Sequence, residues 1–177
     1  MTKERPVSHP APDMETLAPI LPRHLRDVLG SFTTGVVVVT TRGEAGRPLG
    51  LTINSFNSVS LDPPLILWSL ALKAPSLGAF RATDSFVINI LGAHQEDLGR
   101  RFATPSADKF AGVAWEPGLT GAPVLADTAA HLECRVHARH PGGDHEIYLG
   151  EVVALQDRGH EPLVYHRGAF RRLHDAG

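Results

Sequence analysis

A run of small, neutral polar side chains lies in the segment LTINSFNSVSLDPPLIL, residues 51 to 67. Hydroxyl or amide groups stand at Thr52, Asn54, Ser55, Asn57, Ser58 and Ser60. Such groups, beside an extended backbone, can bind the edge of a flat heteroaromatic ring that carries carbonyls and ring nitrogens. Lys73 and Ser76 follow closely and could hold a phosphate of the same ligand. Rows of serine and threonine also occur on ordinary solvated strands, so the pattern leaves a ligand site and a plain surface strand both open.

Other chemistries have weaker signals in this chain. No P-loop occurs, no G-x-G-x-x-G stands between a strand and a helix, and GEAGRPLG is typical of a hairpin turn. No nucleophile-elbow sequence supports a Ser-His-Asp hydrolase. Histidines offer one alternative, a metal site built on a β-barrel. The residues that could form it are His131, Glu133, His137, His140 and His145.

The length and composition favour one compact domain. The chain has 177 residues, 42% of them hydrophobic, and a formal net charge of −2. Because its Lys and Arg residues form no basic stripe, nucleic acid and anionic membranes are poor candidates as main partners. The lone Cys134 cannot form an internal disulfide, and no apolar run approaches the roughly 20 residues of a membrane span.

The N-terminal region predicts a tail and a cytoplasmic location. Residues 1–22 are rich in proline and lack the apolar centre of a secretory signal, so we expect a flexible tail followed by one domain over residues 23–177. Leu25, Val28, Leu29 and Phe32 have the spacing of one helical face, with Gly30 near the helix end. We expect this short helix to lie as a lid on the hydrophobic core.

The rest of the chain has mainly β character. GVVVVTT predicts a strand, and LGLTINSFNSVSL and LILWSL predict two more, separated by the proline pair. SFVINIL, AHLECRVHARH, HEIYLGEVVALQ and LVYHRG predict four further strands, while APSLGAFRAT and AHQEDLGRRFA predict short helices. In AHLECRVHARH the strict alternation predicts a half-buried strand with a polar outer face. Six or seven strands without a βαβ rhythm favour a mainly β, closed or nearly closed antiparallel barrel with short peripheral helices.

Several of these segments together resemble the flavin reductase family, whose fold is the FMN-binding split barrel. The resemblance covers about residues 25–173 in order and with natural spacing, through FTTGVVVVTT, LTINSFNSVSLDPPLIL, FVINIL, DKF, LECRV, GGDHEIYLGEV and PLVYHRGAF. It implies an NAD(P)H:flavin oxidoreductase that reduces FMN or FAD with NADH or NADPH. Members of this kind supply reduced flavin to the partner oxygenase of a two-component monooxygenase. The resemblance also implies a homodimer.

The resemblance assigns flavin-binding roles to three segments. The second strand and the turn after it would cradle the flavin through Thr52, Ile53, Asn54, Ser55, Phe56, Val59 and Ser60. The phosphate-side loop matches Ala74, Pro75 and Ser76, although the family often has a polar or basic residue where this chain has Pro75. Lys109 and Phe110 match a part of the family that reaches the flavin from the other subunit or from a lid.

The resemblance also places the nicotinamide nucleotide. His145, in GDH, matches the histidine that lies near the nicotinamide and would orient it during hydride transfer. The closing segment YHRG is associated with the pyridine nucleotide and comprises Tyr165, His166, Arg167 and Gly168. Hydride transfer needs two stacked rings and the exclusion of water but no protein nucleophile, which agrees with a site of neutral polar residues.

Two other functions stay open beside the reductase. The barrel could keep its flavin tightly and use it as an oxidase or a sensor, or it could be the histidine-based metal protein. The sequence leaves open the choice between FMN and FAD, the choice between NADH and NADPH, and the identity of the partner oxygenase.

Overall fold

The computed structural model describes residues 18–173, and these form a mainly β structure with three short helices. The first 17 residues of the predicted tail lie outside the described residues. The helices are α1 (Pro22–Leu29), α2 (Leu77–Ala82) and α3 (Glu96–Ala103). The strands are β1 (Thr34–Gly35), β2 (Val37–Arg42), β3 (Pro48–Ile53), β4 (Asn57–Leu61), β5 (Pro64–Ala71), β6 (Ser85–Ile90), β7 (Trp115–Pro117), β8 (Pro123–Leu125), β9 (Ala130–Gly142), β10 (His145–Asp157), β11 (Val164–His166) and β12 (Ala169–Arg171).

Seven strands form one antiparallel sheet in the order β3-β2-β6-β9-β10-β5-β4. The two edge strands, β3 and β4, are consecutive in the chain and are joined by residues 54–56, which we call the seam segment. The Ser55 hydroxyl accepts a hydrogen bond from the Ser69 amide of β5 at 3.0 Å, so the seam segment is fastened to the far edge of the sheet. A sheet whose two edges are brought together without a β3–β4 ladder is the expected antiparallel split barrel.

The seam segment also corrects one strand prediction. LGLTINSFNSVSL is not one strand, because β3 ends at Ile53 and β4 begins at Asn57. The hydrophobic and polar alternation is interrupted at this break, because Ser55 and Asn57 take the parity of Leu51 and Ile53 while Phe56 takes the polar parity. The chain leaves the ladder at Asn54 in order to cross from one edge of the sheet to the other.

β2 is buried on both faces and separates two hydrophobic clusters. Val37 and Val39 point into the barrel with Trp68, Phe86 and other residues. On the other face Val36 and Val38 join a cluster outside the barrel. That outer cluster also contains Leu91, Phe102, Phe110, Leu125 and Leu163. The β-branched run is therefore a central strand, as fully apolar strands usually are.

Part of the outer face of β9, which the alternation predicts to be exposed to solvent, is covered by another segment. His131 and Glu133 are buried, because the segment that carries Thr120 covers this part of the strand. The Thr120 amide donates to a Glu133 carboxylate oxygen at 3.0 Å. Burial, followed by the nearby charge of Arg158, lowers the pKa of His131.

The N-terminal helix exists but is not a lid. α1 buries none of its residues, and Leu29 and Phe32 are 62% and 77% exposed. The helix lies beside the β11–β12 hairpin, where the Arg167 amide donates to the Gly30 carbonyl at 2.9 Å.

The β11–β12 hairpin pairs with β1 in a separate three-stranded sheet, so the closing strand LVYHRG is not part of the barrel. Among residues 18–173, no helix is long and apolar enough to cross a membrane.

Candidate active site

A cleft with two lobes opens at the end of β3. One lobe, about 530 Å³, is bounded by the β11–β12 hairpin, and we call it the hairpin lobe. The other, about 590 Å³, is bounded by residues 105–111, and we call it the loop lobe. Thr52 and Ala103 line both lobes, so the lobes meet between β3 and α3. Each volume lies within the range of small-molecule binding sites.

Helix α3 forms the wall that the two lobes share. Two glycines allow α3 to pack closely against its neighbours. A Cβ on Gly50, in β3, would lie 2.8 Å from the ring of the fully buried Phe102 of α3. A Cβ on Gly99, in α3, would lie 3.3 Å from Leu91. The Thr52 hydroxyl donates to the Gly99 carbonyl at 2.7 Å and ties β3 to the helix. Thr52, a predicted flavin residue, therefore lines the cleft and also joins two elements of the fold.

The hairpin lobe combines neutral polar groups, aromatic rings and one cation. Thr52, Ile53 and Asn54 face Tyr165 and Gly168 across it, so these predicted flavin and nucleotide residues meet in one place. Val36, Arg100, Ala103, Thr104, Ala169 and Phe170 complete its lining. The Tyr165 and Phe170 rings pack edge to face at 5.6 Å, on either side of the tight turn at residues 167 and 168.

The loop lobe contains the predicted phosphate-side residues. Ala74, Pro75, Ser76, Lys109 and Phe110 all line it. The Lys109 ammonium donates to the Phe102 carbonyl at 2.7 Å, and burial lowers the pKa of this lysine. A phosphate beside this ammonium would oppose that effect, because an anion favours the charged form.

The segment before Lys109 is held by a local turn. Asp108 accepts hydrogen bonds from the amides of Phe110 and Ala111 at 2.9 and 3.1 Å. This turn directs Phe110 against Phe102, with ring centroids 5.0 Å apart. The two side chains that the resemblance assigns to another subunit or to a lid therefore line the cleft of their own chain.

Four predicted flavin residues do not line either lobe. Ser55 bonds to Ser69, and Phe56 packs against the cluster inside the barrel. Val59 and Ser60 lie on the edge strand β4, at an irregularity in its pairing with β5, and Val59 is exposed. Their roles toward flavin stay predictions.

Three predicted nucleotide residues also lie outside the lining. His145 begins β10, pairs with Ala71 of β5, and contacts Asp144 through Nδ1 at 2.7 Å. This hydrogen bond is the main reason why the pKa of Asp144 is lowered. His166 is on β11, and Arg167 faces a groove beside α1. Ser69, the partner of the seam segment, is only two residues from Ala71, or roughly 7 Å along β5.

The histidines of the metal alternative are spread along the β9–β10 hairpin. His131 and His137 are six residues apart on one strand, which is roughly 20 Å. His145 is directed to Asp144 at the other end of the hairpin. Within the part of the chain that the structure describes, no group of three or more His, Cys, Asp or Glu residues could hold a metal ion.

The sequence interpretation missed several residues of the cleft. Arg100 and Phe170 line the hairpin lobe, and Arg47, Phe102 and residues 105–108 line the loop lobe. Arg100 is exposed on α3 and still lines the lobe, because the sequence of a short amphipathic helix does not show what stands opposite its polar side. Gly50 was the available signal of close packing between this helix and β3, and Gly99 was the signal of close packing against Leu91 and Phe170.

Comparison with known proteins places the chain among flavin reductases. The family model described as a flavin reductase like domain matches residues 29–174. The chain is 46% identical over 151 residues to an FMN reductase (NADH) of Agrobacterium fabrum, covering 85% of this chain and 86% of the relative. It is 43% identical over 148 residues to the reductase component of a flavin-dependent trigonelline monooxygenase of Acinetobacter baylyi, covering 84% of this chain and 48% of the relative.

A solved structure supports the same relationship. The Streptomyces globisporus NADH:FAD oxidoreductase, in complex with NAD and FAD fragments, superposes with a TM-score of 0.83 at 41% identity. The match covers 91% of this chain and all of that one. Two matching relatives from Rhizobium meliloti are longer, and the chain spans 48% and 65% of their lengths. From the extent of the family match and these identities, the chain belongs to the flavin reductase family.

Proposed function

We propose that the chain is an NAD(P)H:flavin oxidoreductase that reduces FMN or FAD and passes the reduced flavin to a partner monooxygenase. The observation that carries the proposal is the two-lobed cleft, because its predicted flavin residues and predicted nucleotide residues meet at Thr52. Relatives named as an NADH-dependent FMN reductase and as a monooxygenase reductase component support this activity and this partner.

The residues of the cleft fit a flavin that extends from the end of β3 into the loop lobe. The ring edge would lie against the backbone and side chains of Thr52, Ile53 and Asn54. Its phosphate would lie near Ser76 and Lys109, where a half-buried ammonium and a hydroxyl line the same lobe. The adjoining hairpin lobe leaves space for the nicotinamide nucleotide between Asn54 and Tyr165.

The protein acts by positioning the two substrates. When both are bound, a hydride passes from nicotinamide C4 to flavin N5. The cleft walls hold the rings in place and exclude water, and apolar groups of Val36, Phe102 and Phe110 contribute to those walls. His145 lies outside both lobes, at the start of β10, and its proposed role is to orient the carboxamide from there, with Asp144 holding one side of its imidazole.

We also infer a cytoplasmic homodimer. Two apolar surfaces support the dimer: the exposed face of α1 and the edge of β4, where Val59 is 47% and Leu61 94% exposed. Isolated exposed apolar residues are ordinary, but two contiguous groups on a small domain are typical of surfaces that bind another protein.

Steady-state NADH oxidation with FMN, FAD or riboflavin in large excess tests the activity. A reductase that uses flavin as a substrate turns over many equivalents of free flavin, with saturation kinetics in both flavin and NADH. A protein that keeps its flavin would instead be purified yellow and would show turnover that does not depend on added flavin. Absence of oxidation of both NADH and NADPH with all three flavins would contradict the proposal.

A further inference from the structure

Arg100 lines the hairpin lobe and is absent from the lining of the lobe assigned to the flavin phosphate. Its guanidinium carbon lies 4.9 Å from the centre of the Phe170 ring, on the β11–β12 hairpin. Among the described residues that line this lobe, Arg100 is the only charged one. The flavin phosphate has its own cations in the other lobe, where Lys109 and Arg47 contribute to the lining.

The Arg100 guanidinium is oriented by one ion pair, and part of its hydrogen-bonding capacity is unused. Nε and Nη2 donate to Glu96, one helical turn earlier, and both side chains of this ion pair are substantially exposed. Such exposed pairs contribute little and are easily rearranged. In residues 18–173, no group accepts a hydrogen bond from Nη1 of Arg100.

The proposed nucleotide brings two negative charges into this lobe. A pyrophosphate is best bound by a planar, permanently charged group with paired donors, and stacking on an aromatic ring holds such a group in place at low entropic cost. The other lining groups of the lobe are uncharged: hydroxyls, an amide, aromatic rings, aliphatic side chains and backbone.

We propose that Arg100, held against Phe170, binds the pyrophosphate of the nicotinamide dinucleotide and thereby sets its affinity. The proposal rests on the proposed flavin reductase activity, because it assigns the hairpin lobe to the hydride donor. Arg100 is thus a binding residue for the phosphates of the donor and does not contact the reacting ring atoms.

The test compares hydride donors with and without phosphate. In Arg100→Gln, the KM for NADH should rise about 10-fold, the usual effect of losing a charge-assisted hydrogen bond. The KM for reduced nicotinamide riboside, which has no phosphate, should stay within about 2-fold of the parent value, since the lost contact does not exist for it. Arg100→Lys should give an intermediate rise for NADH, because it keeps the charge and loses the planar fork.

Arg171→Gln is the matched control. It removes the same charge one residue from Phe170, on an exposed side chain that does not line the lobe. Its KM for NADH should stay close to the parent value, and flavin affinity, followed by quenching of flavin fluorescence, should be unchanged in both glutamine variants.

Two results would overturn the inference while leaving the proposed function intact. One is an equal rise in KM for NADH and for the riboside, and the other is an unchanged KM for NADH in Arg100→Gln. If the second result came with a loss of flavin affinity, Arg100 would be reassigned to the flavin. A parent protein that oxidises neither donor in the presence of flavin would instead contradict the proposed function itself.

Discussion

Asn54 is the seam-segment residue with the clearest test at the scale of single side chains. It follows β3 directly and lines the hairpin lobe. In Asn54→Leu the amide that we expect to pair with the flavin edge is replaced by an apolar group of similar size. Flavin affinity should fall by about 1–3 kcal/mol, the cost of leaving buried polar partners unpaired, while the fold persists. Fluorescence titration with FMN and FAD, together with circular dichroism, measures both.

Asn57→Leu supplies the control for this substitution. Asn57 is exposed on β4 and lies outside the cleft lining. The same chemical change at this position should leave flavin affinity near the parent value. Equal affinities in the two variants would remove Asn54 from the binding site.

His145 is tested by separating binding from hydride transfer. His145→Ala should leave flavin affinity nearly intact and lower the rate of flavin reduction at fixed NADH about 10-fold or more, because one oriented hydrogen bond to the donor is lost. Stopped-flow reduction at several NADH concentrations shows whether binding or the chemical step has changed. A parent-like rate and NADH dependence would leave His145 as a turn residue beside Asp144.

Cys134 gives a prediction about pH and stability. Burial is the main cause that raises the pKa of this thiol to about 12. Since the unfolded chain ionises at a lower pH, the contribution of this group to stability is complete below the unfolded pKa and is lost as pH rises toward 12. The free energy of unfolding should fall by about 1–2 kcal/mol between pH 8 and pH 10 from this residue. Urea unfolding of the parent and of Cys134→Ala at both pH values isolates the effect. If the free energy of unfolding fell by the same amount in both proteins, the prediction would be contradicted.

At the scale of elements, the contact between α3 and β3 controls the shape of the cleft. In Gly50→Ala the new methyl group would lie within 3 Å of the Phe102 ring, which is fully buried and cannot move freely. We expect destabilisation by about 1–3 kcal/mol from overpacking, together with weaker flavin binding, because α3 must shift. Thermal and urea unfolding measure the first effect, and flavin titration measures the second.

Gly78→Ala is the corresponding control. Gly78 is in α2, and a Cβ there would meet no atom within 4 Å. Because alanine is the better helix former, this variant should be about 0.5–1 kcal/mol more stable and should bind flavin normally. If Gly50→Ala behaved like Gly78→Ala, the close packing of α3 would not limit the cleft.

Most strands were predictable because their apolar periodicity reflects burial. β2, β6, β9 and β10 lie where the β-branched and alternating runs place them. The break at residues 54–56 is marked by an interrupted alternation at Ser55 and Phe56, but this pattern does not show that the chain crosses there to the other edge of the sheet. The buried Glu133 was missed for a similar reason, since only the tertiary fold brings the Thr120 segment over it.

The site was predictable in part, and the resemblance supplied most of it. Residues near the end of β3, the loop after β5 and the closing hairpin do line one cleft. Arg100 was missed because its role depends on what α3 faces across the cleft. α1 was expected to be a lid, but its apolar side is exposed in the single chain, and the pattern of an amphipathic helix does not say which surface will cover it.

At the scale of the whole molecule, we expect a stable homodimer. Sedimentation velocity at micromolar concentration should show one species of twice the chain mass. Phe32→Ser and Leu61→Ser, one on each exposed apolar surface, should identify the interface by shifting the equilibrium toward monomer, because each removes apolar area from it. A stable parent monomer would contradict the expectation, and dissociation by only one variant would assign the interface to that surface.

The seam segment has a consequence for how such a protein can change its substrate. The same three residues join the two edges of the barrel and begin two residues after Thr52, where the lobes meet. Asn54 lines the cleft, while Ser55 and Phe56 fasten the segment to β5 and to the cluster inside the barrel, so ligand contact and barrel closure lie on adjacent residues. The outer walls of the cleft are formed by α3, residues 105–111 and the β11–β12 hairpin, all attached outside the barrel. New flavin or donor preferences can therefore evolve most readily through those three walls, while the seam stays constant.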